Sequence, residues 1–89
     1  MSHDEVIAAA RAFVMENFLY THPHAVLHPD EPLLAAGIID SMGVIEMVDW
    51  ISSTWGIYVE DDEITEDNLG TLASIGRYVA AKSGARAAA

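Results

Sequence analysis

An aspartate directly followed by a serine, Asp40-Ser41, stands at the mouth of the apolar stretch GIIDSMGVIEMV, Gly37 to Val48. Three chemistries are open to that serine. It can cap a helix, since Asp and Ser are both preferred where a side-chain oxygen must accept an orphan amide. It can act as a nucleophile, given a base, an orienting group and oxyanion donors around it. It can also accept a covalent modification. A phosphate ester in the first turn of a helix lies beside unpaired N–H groups and the positive end of the macrodipole.

The nucleophile is the weakest of the three. Ile39 stands where the first glycine of a G-x-S-x-G elbow belongs. His3, His22, His24 and His28 fall in the N-terminus and in a proline-broken segment, with no spacing that promises a triad. Two other clusters invite metal chemistry and argue against it. HPHAVLH puts three histidines within seven residues but offers no fourth ligand and is broken by Pro23. EDDEITED lacks the spacing and central glycine of a calcium loop, so it reads as a solvated acidic surface. No catalytic residue and no metal ligand is assigned.

The elements that must position Ser41 are helical. SHDEVIAAARAFVMENFLY predicts a first helix, with Ser2 and Glu5 spaced as a capping box and Asp4 beside them at the positive end of the dipole. Val6, Ile7, Ala10, Phe13, Val14 and Phe18 recur at three- and four-residue steps and make its buried stripe. Pro23, Pro29 and Pro32 then forbid a continuous helix. The long connection still carries Val26, Leu27, Leu33, Leu34, Ile38 and Ile39, so it is expected to pack across the bundle. A second helix is predicted from near Ser41 to about Thr54, stopped by Gly56. The acidic linker IYVEDDEITEDN holds a helical turn or two, with Asp61 or Asp62 expected to cap the short third helix. The last helix starts with Thr71 as cap, buries Leu72, Ile75 and Val79 with Tyr78 alongside, and is expected to end at Gly84. Strand alternation is scarcely visible beyond the short IYV. The prediction is an all-α, four-helix bundle forming one domain, with its core over about 4–82 and a frayed tail over 83–89.

Bulk properties narrow the partners. An 89-residue chain of 52% hydrophobic and 20% charged residues suits one folded domain with a modest core. Fourteen acidic residues against four Lys and Arg give a formal charge of −10. Nucleic acid and anionic bilayers repel such a chain, and basic protein patches attract it. It has no cysteine, no basic-then-apolar leader and no apolar run near the ~20 residues of a membrane span. A soluble, cytoplasmic monomer is the expectation.

The run LLAAGIIDSMGVIEMVDWISSTWGIYVEDDEIT resembles the heart of acyl carrier proteins and related carrier domains. The matches come in register: Gly37, the pair Ile38-Ile39, Asp40-Ser41-Met42, then Ile45, Glu46, Met47, Val48 and Ile51. The turn WGI and the acidic linker follow, and LGTLASIGRYV looks like the family's last helix. The likeness covers the chain from about Val6 to Val79. It implies the four-helix bundle with a long first loop and a short third helix. It implies that Ser41 is esterified with 4′-phosphopantetheine, donated from coenzyme A by a separate phosphopantetheinyl transferase. The arm's thiol would hold acyl or aminoacyl groups as thioesters, and Asp40 would help the transferase dock. The chain itself would catalyse nothing. The competing reading is an unmodified acidic helical module that binds a basic partner.

At ~100° per residue, Val44, Met47, Val48, Ile51 and Trp55 share the core face of the second helix, with Ile45 at its flank. Glu46, Asp49 and Ser53 fall opposite, where acids can meet Arg or Lys on the transferase and on an adenylating ligase. Met42 and Trp50 break the pattern and are assigned, with Glu46 and Asp49, to the partner surface. Trp50 has the alternative of folding back onto the long loop or the short helix; if it is free, Trp50→Ala weakens ligase loading without unfolding the protein. The chain departs from fatty-acid carriers at Gly43, where they usually have an acid, at Ser52 and Ser53 in place of a Glu-rich stretch, and at Trp50 in place of a small residue. Those departures favour a dedicated pathway.

Overall fold

The structure is a computed structural model describing residues 2–22 and 24–88, with side chains described through residue 83. Pro23, one of the three predicted breakers, and Ala89 lie outside the described residues. Among the described residues four α-helices form, α1 (His3–Asn17), α2 (Ser41–Trp55), α3 (Glu66–Leu69) and α4 (Leu72–Ala88), with a 3-10 turn at Asp61–Glu63 before α3. No strand forms among the described residues; residues 57–60 are merely extended, with Ile57 and Val59 buried and Tyr58 turned out.

Ser2 caps α1 by accepting the Glu5 amide at 3.1 Å. Only this half of the expected capping box forms among the described residues. Val6, Ala10 and Val14 are fully buried along one stripe, and Ile7, Phe13 and Phe18 are half-buried beside it. α4 packs along α1 and α3 and touches α2. Its cap is reciprocal: Ser74 N–H donates to Thr71 Oγ1, and Thr71 N–H donates to Ser74 Oγ, each at 3.0 Å. Leu72, Ile75, Tyr78 and Val79 are buried as expected. The end of α4 corrects the sequence reading, because the helix runs through Gly84 to Ala88. Glycine is a weak helix former but no barrier, and an alanine-rich continuation offsets its cost of ~1 kcal/mol.

The long connection is pinned at several points. Arg11 Nε donates to the Leu27 carbonyl at 3.2 Å, Leu33 N–H to Gly70 at 2.9 Å, and Ala73 N–H to Pro29 at 2.9 Å. Leu27, Leu33 and Ile39 enter the core, whereas Val26 and Leu34 stay exposed. From Leu27 onward the loop is thus tied to α1, to α4 and to the α3–α4 junction. The short-helix cap is a second correction. Thr65, not Asp61 or Asp62, caps α3 through the Asn68 amide at 3.3 Å.

Candidate functional site

The start of α2 resolves the competition between Asp40 and Ser41 for the cap. Asp40 has extended backbone and its Oδ1 accepts the Gly43 amide at 2.8 Å, while its carbonyl accepts Val44 N–H at 3.0 Å. Ser41 is therefore the first helical residue, with no capping duty. Its side chain is exposed, and its hydroxyl has no hydrogen-bond partner among the described residues. The amides of Ser41 and Met42 also find no acceptor there. An anion esterified at Ser41 Oγ thus meets free N–H groups and the positive helix end. At the other end, Gly56 adopts φ 64°, the left-handed conformation that closes a helix.

Around Ser41 the surface is apolar with an acidic edge. Met42 is 64% and Ile45 61% exposed, and Glu46 and Asp49 are exposed beside them. Ile45 corrects the sequence reading, which put it at the flank of the core. It lies four residues after Ser41, hence directly along the same helical face. Trp50 is also corrected. Its half-buried ring stacks on Phe13 of α1 at 4.5 Å and 16°, and meets Trp55 edge-on at 5.0 Å. It is not the free ring expected at a partner surface: it folds back, and its ring partners are Phe13 and Trp55. The cause is a partner from α1, which periodicity within α2 cannot reveal.

Two concavities lie at the start of α2. An open groove is bordered by Phe18, Tyr20, Ile38, Asp40, Ser41 and Met42. Adjoining it at Leu34 and Ile39, an apolar cleft of about 140 Å³ is lined also by Val44, Ile64 and Leu69. A cavity of that order holds a benzene-sized molecule, so a long acyl chain would need the helices to part. Among the described residues no three His, Asp or Glu side chains gather where they could hold a metal ion.

Residues 15–79 match the family model for the phosphopantetheine attachment site. The chain belongs to that family. The match spans the end of α1, the long loop, α2, α3 and the first half of α4, so it covers every element that builds the Ser41 environment. A search of curated proteins returned no match. Members of this family carry a 4′-phosphopantetheine group, interact with phosphopantetheinyl transferases and pathway enzymes, and are carriers without catalytic activity of their own. This carrier domain fits the group: an exposed hydroxyl, free amides and open space beside them. Among its described residues no helix is long and apolar enough to cross a membrane.

Sequence reasoning missed one residue that shapes this region. Glu63, read as part of a solvated acidic run, accepts from Lys82 Nζ, from Tyr78 OH at 3.2 Å and from the Glu60 amide at 2.9 Å. Those contacts hold its carboxyl below the usual carboxylate range, the Lys82 bond most of all. The same bond raises the Lys82 pKa, and burial raises that of Tyr78. The 3-10 turn, which leads in sequence into Ile64 of the cleft, is thereby tied to α4. Nothing local in the sequence announces a pairing across 19 residues.

Proposed function

We propose that Ser41 is the attachment point, and that the protein is a free-standing carrier whose arm shuttles acyl or aminoacyl groups within a dedicated biosynthetic pathway. The observation that carries the first part is the exposed, unbonded Ser41 hydroxyl in a helix turn whose capping is done by its neighbour. In the loading step, Ser41 Oγ forms a bond to the coenzyme A phosphorus nearest the pantetheine. The phosphoanhydride bond to adenosine 3′,5′-bisphosphate breaks, and the hydroxyl proton leaves to a base on the transferase. Ser41 and Met42 N–H groups and the helix dipole then favour the new phosphodiester. The arm supplies a thiol, which a chain without cysteine does not have.

Met42, Ile45, Glu46 and Asp49 are the surface read by the transferase and by an adenylating ligase. The apolar pair supplies contact area at the centre of such an interface, and the acids at its rim set encounter rate and orientation. What supports a dedicated pathway is the departure from the fatty-acid pattern at Gly43, Trp50, Ser52 and Ser53. Incubation with coenzyme A and a broad-specificity transferase, read by intact mass, tests the attachment. One added arm is expected on the wild-type protein and none on Ser41→Ala; an arm on the variant, or none on either, removes the proposal. The unmodified interaction module would give no mass gain at all.

A further inference from the structure

We infer that Gly43 and Phe18 are a positioning pair, in which the bare backbone of Gly43 rests on the Phe18 ring and so sets the reach of Ser41. This rests on Ser41 being the attachment point. Gly43 is buried in the first turn of α2, two residues after Ser41. At ~100° per residue it therefore faces nearly opposite to Ser41, inward where the serine faces out. A Cβ added at Gly43 would lie 2.9 Å from Phe18 Cε1, 3.2 Å from its Cζ and 3.2 Å from Ile39 Cβ. Those separations are below van der Waals contact, so something must move.

Toward α1 the ring has little room to retreat, and on its other side it borders the groove that Ser41 also lines. Phe18 meets Phe13 edge-on at 5.8 Å and 71°. Phe13 in turn is stacked on Trp50, which lies on α2 seven residues after Gly43. The helix thus lies on a rail of two phenylalanines, one under Gly43 and one under Trp50. Pushing Phe18 away from Gly43 presses Phe13 against the same helix further along. Ile39 cannot yield freely either, because its Cβ is fixed to the backbone that leads into the Asp40 cap. The compliant parts are the first turn of α2 and the groove side of the ring, and both border Ser41. A side chain at Gly43 lifts that turn, and loss of the ring lets it sink. Both displace the hydroxyl that must meet phosphorus in line, while Ile45, Glu46 and Asp49, which lie beyond that turn, keep their places.

The test is a double-mutant cycle on arm transfer from coenzyme A, with kcat and KM obtained from intact-mass time courses over a carrier concentration series. Gly43→Ala is expected to lower kcat about tenfold, since misplacement of a reacting atom by a fraction of an ångström is costly. Its KM should stay within about twofold, because uniform binding is untouched. Phe18→Leu is expected to lower kcat about threefold by the same loss of alignment. The pair Gly43→Ala with Phe18→Leu should run nearer the wild-type kcat than either single variant, the sign of direct coupling. Circular dichroism reports the folded fraction throughout. Losses that multiply in the double variant overturn the inference, as does a fall in melting temperature with kcat of the folded protein unchanged. Where Gly43→Ala fails to fold, Phe18→Leu alone decides, and an unchanged kcat overturns it. Wild-type protein that takes no arm refutes the attachment at Ser41 instead.

Discussion

At the scale of single residues, the start of α2 divides its labour: Asp40 satisfies the helix, leaving Ser41 free for other chemistry. A cap and a docking charge on the same aspartate can be separated by substitution. Asp40→Ala removes both and should cost about 1 kcal/mol, the usual worth of an N-cap. For a domain of this size that is a melting-temperature drop of roughly 4–8 °C. Asp40→Asn keeps an oxygen for the Gly43 amide and removes only the charge. It is expected to melt close to wild type while loading more slowly, by thermal unfolding and a mass-resolved time course. Equal loading by Asp40→Asn and wild type would reduce Asp40 to a cap. The position of Ser41 was legible in the sequence because caps and dipoles are local. Trp50 and Ile45 were not, because the first depends on Phe13 in another helix and the second on where the core edge falls.

At the scale of elements, α1, α2 and α4 were readable from three- and four-residue periodicity and from their punctuation by Ser2, Gly56 and Thr71. The 3-10 turn and α3 were legible only as an acidic linker with a turn or two, since four helical residues carry no period. α3 has its own cap in Thr65, and the 3-10 turn is held by a long-range tie, Glu63 to Lys82 and Tyr78. That tie gives stability a pH dependence of known sign. Glu63 has a lowered folded pKa, so its ionised form is favoured in the native state. The stabilisation is fully present above the usual glutamate range and is lost as pH falls through the lowered pKa. Lys82, raised by the same partner, loses its share only as pH rises through its own raised value. Glu63→Gln should therefore melt below wild type near neutrality, and the gap should close in acid. Melting curves of both proteins over an acid series check this. A gap that persists after Glu63 is protonated would assign the effect to packing instead of charge.

At the scale of the whole molecule, the charge is not spread evenly. Nine of the fourteen acidic residues lie between Asp40 and Asp67, a stretch without Lys or Arg, and it holds Ser41 and, from the cleft, Val44, Ile64 and Glu66. Arg77 and Lys82 belong to α4, away from that stretch in sequence. The body measures 41 × 24 × 21 Å. At about 0.01 M salt the Debye length is roughly 30 Å, longer than two of those dimensions, so acids across the width of the body feel one another. At about 0.15 M it is roughly 8 Å, and only neighbours interact. Added salt should therefore raise the melting temperature by relieving self-repulsion. The same screening weakens the field that draws a basic partner to Met42, Ile45, Glu46 and Asp49, so kcat/KM for arm loading should fall over the same range, mainly through slower encounter. Opposite slopes in one salt series are the signature, since an ordinary salt effect on folding would move both quantities together. A loading rate that is flat while stability climbs would mean that the acidic stretch serves repulsion alone and that partners recognise the apolar pair.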